Sequence, residues 1–112
     1  MKLIMNKPTI ELWEAWVDLQ CTDETSNGTL FVWGELCVGS SLTDPLLIKR
    51  KVQGGKPTDL YLEVVPYIIK NGGRITETRY SEPLQNVMQY TRIFICAGEE
   101  VLAEIRDIEL LD

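Results

Sequence analysis

Apolar and polar residues alternate over short stretches of this 112-residue chain, and clusters of turn-forming residues separate the stretches. The clusters are Ser26-Asn27-Gly28, Thr43-Asp44-Pro45, Gly54-Gly55-Lys56-Pro57, Asn71-Gly72-Gly73, Ser81-Glu82-Pro83 and Ala97-Gly98-Glu99. Between them lie runs rich in Val, Ile, Leu, Thr and aromatic residues. That pattern predicts strands at Glu11–Cys21, Thr29–Val38, Leu46–Val52, Leu60–Ile69, Arg74–Tyr80, Val87–Ala97 and Glu100–Leu110. Seven short strands with regular turns predict an all-β fold, an antiparallel β-sandwich of immunoglobulin-like or jelly-roll-like kind. With no internal repeat and no long linker, residues 1–112 read as a single domain. Toward the end of the chain, Val101, Leu102, Ile105, Ile108 and Leu111 also fit helical spacing, with glutamates where a helix dipole favours them. A strand is the preferred reading there, because Gly98-Glu99 follows a β-rich run; a short C-terminal helix is the alternative.

The first hairpin can be read residue by residue. Trp13, Ala15, Val17, Leu19 and Cys21 share one face of the first strand, with Glu14, Trp16, Asp18 and Gln20 on the other. Leu30, Val32, Gly34, Leu36 and Val38 alternate with Phe31, Trp33, Glu35 and Cys37 in the second. A two-residue turn at Asn27-Gly28, the favoured type I′ sequence, pairs Leu19 with Leu36 and Val17 with Val38 on the inner face. Trp16, Phe31 and Trp33 then point outward, and a change of parity in a longer turn buries Phe31 and Trp33 instead.

Composition narrows the chemistry. The chain has no histidine. This excludes Ser-His-Asp and Cys-His nucleophilic sites and any metal site that requires imidazole. Its net charge of −6 disfavours nucleic acid, whose phosphates call for clustered Lys and Arg. The charge is uneven: residues 1–48 and 93–112 are acidic, whereas residues 49–92 carry eight basic and four acidic side chains. The economical reading is that acidic and basic strands lie side by side and neutralise one another, with a basic face for an anion or an acidic partner as the alternative. No stretch approaches membrane-spanning length, and Leu3-Ile4-Met5 is too short for a secretory core. Cys21, Cys37 and Cys96 are odd in number and widely spaced, which predicts free thiols and a cytoplasmic setting. In the predicted hairpin Cys21 and Cys37 lie on opposite faces, so no bridge is expected between them.

Short motifs add little. Asp23, Thr25, Asn27 and Gly28 imitate the opening of an EF-hand loop, but the twelfth position, where a bidentate glutamate belongs, holds Gly34. Gly54-Gly55-Lys56-Pro57 lacks the spacing of a phosphate loop, and Pro57 removes a backbone donor. Asn27-Gly28-Thr29 fits a glycosylation acceptor only in a secretory setting. Glu14, Asp18 and Glu35 project from one face of the first sheet as solvated side chains. Cys37 and Cys96 point away from the core with no histidine to activate them. Lys49-Arg50-Lys51 reads as a charged edge strand that discourages pairing with another sheet. The ending Arg106-Asp107-Ile108-Glu109-Leu110 resembles the last strand of some carbohydrate-binding β-sandwich domains over those five residues alone, and no family is recognised.

Trp16, Phe31 and Trp33 are therefore the candidate binding residues. An outward aromatic cluster serves a protein interface, a platform for a sugar ring, or cover by the chain's own loop or second sheet. The chain is expected to be a non-catalytic protein-binding or self-assembly module, either a homodimer or bound to another protein. It is expected to need no cofactor or metal and to bind neither nucleic acid nor membrane. A small-ligand or carbohydrate-binding domain using the same aromatics is the alternative.

Overall fold

The computed structural model describes residues 12–20, 27–38, 45–65 and 74–111. Among these residues eight strands make up two packed four-stranded sheets. They are β1 (Leu12–Asp18), β2 (Thr29–Val38), β3 (Leu46–Arg50), β4 (Asp59–Val65), β5 (Arg74–Pro83), β6 (Arg92–Ala97), β7 (Glu100–Ile105) and β8 (Ile108–Leu111). The first sheet runs β5-β2-β1-β8 and the second β3-β4-β6-β7. The chain is an all-β sandwich, as the alternating pattern predicts.

Each sheet adds one parallel pair to the antiparallel pairs expected, β1 with β8 and β4 with β6. The predicted last strand divides in two. Arg106 and Asp107 interrupt it, sending β7 to one sheet and β8 to the other. No helix occurs among the described residues, so the C-terminal helical spacing belongs to strands, and no helix is long and apolar enough to cross a membrane. The predicted strand at Val87–Ala97 begins only at Arg92. Residues 84–91 form a turn region that buries Leu84 and Tyr90.

Strand period two produces the core. Ala15 and Val17 of β1 and Leu30, Val32 and Leu36 of β2 meet Leu60, Leu62 and Val64 of β4 and Ile93 and Ile95 of β6. Trp13 also packs on this core, its indole lying over Gly34, where a Cβ would come within 2.1 Å of the ring. The hairpin register differs from expectation. Val17 pairs with Leu30 and Asp18 with Thr29, so the expected partners of Leu19 and Val17 are displaced by eight residues. β1 ends at Asp18 and β2 begins at Thr29, so no two-residue turn at Asn27-Gly28 joins them. Asn27 and Gly28 are tied to the far end of β5 instead, through Asn27 N–H to the Leu84 carbonyl (2.7 Å) and Leu84 N–H to the Gly28 carbonyl (2.8 Å). Because the displacement is even, each residue keeps its predicted face.

β3 is an edge strand, as expected, but its cations do not simply face solvent. Lys49 reaches across to β5, and Arg50 bonds the Gly98 carbonyl and pairs with Glu63. Cys96 stands opposite Glu63 and outside the core cluster, consistent with its predicted direction. It is nonetheless only 1 % exposed, beside a bulge between β6 and β7. The expectations for Cys21 and for Asp23 and Thr25 lie outside the described residues.

Candidate binding face

The three candidate aromatics share one face of the first sheet. Trp16 of β1 pairs directly with Phe31 of β2, and Trp33 pairs with Glu14 one step along the same face. The Trp16 and Phe31 rings stack with centroids 5.8 Å apart and planes inclined by 22°. All three side chains are half-buried, on the side of the sheet turned away from the core. The second sheet packs on the opposite side, so it does not cover them.

β5 completes the face. Arg79 lies opposite Trp33 and Ser81 opposite Phe31. Trp33 Nε1–H donates to Glu77 Oε1 at 2.9 Å, which fixes the indole and leaves its ring as the contact surface. A groove of about 670 Å³ runs over this region, lined by Glu14, Trp16, Phe31, Trp33, Arg79 and Ser81 among others. Glu14, Asp18 and Glu35 share the face as the alternation predicts, with Glu109 of β8 beside Trp16. Glu35 stands directly opposite Glu77. Sequence reasoning does not find Arg79, Glu77 or this like-charge pair, because the β2–β5 pairing joins segments separated by two other strands.

The outer face of the second sheet is built differently. Tyr61 and Phe94 stack at 4.8 Å, and the Arg92 guanidinium lies 5.2 Å from the Phe94 centroid. Arg92 grips Asp59 in a bidentate pair of 3.1 and 2.9 Å and also approaches Glu104. Arg50 pairs with Glu63 above Cys96. Charges are therefore neutralised between neighbouring strands of this sheet, but Arg92–Asp59 and Arg50–Glu63 both lie within the basic segment 49–92, and it is Arg92–Glu104 that joins that segment to an acidic one.

Between the sheets, Glu82 is the hub of a polar clasp. Lys49 Nζ donates to it at 3.2 Å, Tyr80 Oη at 2.7 Å and Tyr90 Oη at 2.7 Å, and Lys49 also donates to Tyr90 Oη at 2.9 Å. Burial, then the Glu82 carboxylate, raises the Tyr80 hydroxyl far above the ordinary tyrosine value of 10.0. Burial likewise raises Tyr90, against the lowering effect of Lys49. The hydrogen bond to Tyr90 and the Glu82 charge hold Lys49 above its usual range despite desolvation. These groups stay in their protonated forms at neutral pH and link β3 of one sheet to β5 of the other.

The reactive groups are similarly subdued. Burial raises the Cys96 thiol, opposed by the nearby Arg50 charge, so it remains a thiol rather than a thiolate nucleophile. Among the described residues no three acidic or cysteine side chains are placed to hold a metal ion. No protein-family model, curated protein or solved structure matches this chain.

Proposed function

We propose that this protein is a non-catalytic binding module that docks a protein partner on the outer face of the β5-β2-β1-β8 sheet. One observation carries the reading: Trp16 and Phe31 stack, with Trp33 beside them, on a sheet face turned away from the core. Tryptophan is enriched at interface centres because one rigid side chain supplies a large contact area at small entropic cost. The burial that keeps Cys96 a thiol supports a non-catalytic role for that residue, and its free buried thiol accords with a reducing cytoplasm.

Selecting peptides from a random displayed library on the wild-type protein tests this. The selected peptides should converge on the aromatic face and lose about tenfold or more in affinity for Trp16→Ala or Trp33→Ala, as truncation of an interface anchor does. Peptides that bind both variants as tightly as wild type would refute the reading.

A carbohydrate-binding role is the second reading, favoured by the groove that sets Glu14, Arg79 and Ser81 beside the stacked rings. Polar groups around an aromatic platform suit a hydroxyl-rich ring. Binding of neutral oligosaccharides on a glycan array, abolished in Trp16→Ala, would favour it over the protein partner.

A further inference from the structure

We infer that the occupant of the aromatic face is a cationic protein segment, one that sets a Lys or Arg over Glu35 and Glu77 while an adjoining apolar side chain packs on Trp16 and Phe31. The inference rests on the reading of this face as a protein-binding surface. Strand register places Glu14, Asp18, Glu35, Glu77 and Glu109 on the face, with Arg79 as their one cation among the described residues. The two sheets differ in how they treat such charges. On the second sheet Asp59, Glu63 and Glu104 are each paired with an arginine, and Glu100, at the start of β7, is left without one among the described residues. On the first, Glu14, Glu35 and Glu109 have no ion-pair partner among the described residues.

The arrangement at Glu35 is the most specific sign. It lies directly opposite Glu77, and like charges in that position repel across a strand pair. Glu77 is held in place by Trp33 Nε1, so the repulsion is located beside the aromatic cluster. A cation arriving from outside relieves it where the apolar contact forms. Other occupants fit less well. A nucleic acid brings phosphates to an acidic face, and no three of these carboxylates are placed to hold a metal ion. A second copy docked through the same face sets this excess of carboxylates against itself.

Three octapeptides test the proposal against the intact protein by titration calorimetry: alternating lysine and leucine, alternating glutamate and leucine, and octalysine. The lysine–leucine peptide should bind about tenfold or more tightly than either other peptide, and it should weaken as salt screens the exposed charges. Glu35→Gln/Glu77→Gln should weaken it severalfold while raising the unfolding midpoint of the free protein, because the repulsion is removed. That split separates a binding role from a structural one. Equal binding of the glutamate–leucine peptide or of octalysine, an unchanged affinity in the double variant, or a lowered midpoint would overturn the cationic occupant. Each of these leaves the aromatic face as a docking surface if Trp16→Ala still abolishes binding. An affinity unaffected by Trp16→Ala would overturn the docking reading itself. Light scattering that shows a wild-type dimer weakened by Trp16→Ala would make the occupant a second copy and likewise overturn the proposal.

Discussion

At Gly34 the sandwich leaves no room for a side chain, since a Cβ would sit 2.1 Å from the Trp13 ring. Gly34→Ala should therefore destabilise the fold by about 1–3 kcal/mol, the usual cost of overfilling a packed core. Urea unfolding would show this as a lower midpoint at unchanged slope. In a Trp13→Leu background the same change should cost less, because the two positions are in contact and their effects couple. Single residues were the most legible level of this chain. Alternation alone assigned Trp13, Ala15 and Val17 to the core side and Trp16, Phe31 and Trp33 to the other, because strand parity depends only on local sequence. It does not reveal the burial of Cys96, which lies beside a bulge between β6 and β7 and near the charge of Arg50 from a distant strand. Cys96 should react with a thiol reagent at the rate of unfolding in the native protein and immediately in urea. Rapid native reaction at Cys96, identified by mass spectrometry of the labelled peptide, would contradict its placement.

Strand pairing was less legible. Asn27-Gly28 has the composition of a tight hairpin turn, yet its backbone bonds go to Leu84, and the β1–β2 register shifts by an even number of residues. A local turn signal was overridden by a long-range contact that one sequence does not display. The parallel pairs of β4 with β6 and β1 with β8 have the same origin, as does the division of the last predicted strand at Arg106-Asp107. The clasp between β3 and β5 carries a prediction at this scale. Tyr90→Phe removes a hydroxyl that bonds both Glu82 and Lys49, and should cost about 1.5–3 kcal/mol, as expected for hydrogen bonds to charged groups. The clasp also sets a pH dependence. Tyr80, Tyr90 and Lys49 all have raised values in the folded chain, so the folded state holds their protons more tightly than the unfolded state does. Their contribution is fully present below the ordinary tyrosine value of 10.0 and is lost as pH rises through the higher folded values. The urea midpoint should fall above about pH 10, and the fall should be shallower in Tyr80→Phe/Tyr90→Phe. A midpoint flat to pH 12 would contradict the clasp.

The whole molecule has two outer faces of different character. One is stitched by Arg92, Arg50 and Arg106 to Asp59, Glu63 and Glu104 around the Tyr61–Phe94 stack. The other places Trp16, Phe31 and Trp33 among acidic side chains with Arg79 as their cation. The segmental charge of the sequence points to neutralisation between acidic and basic segments, yet on the second sheet Asp59 and Glu63 find their arginines within residues 49–92 and Arg92–Glu104 is the pair that crosses segments; which acids remain unpaired depends on the order of the strands. Hydroxyl-radical footprinting of the protein, free and with a selected peptide bound, compares the two faces in one experiment. Trp16, Phe31 and Trp33 should lose reactivity on binding while Tyr61 and Phe94 keep theirs. Protection of Tyr61 and Phe94 with Trp16 and Trp33 unchanged would contradict docking on the aromatic face.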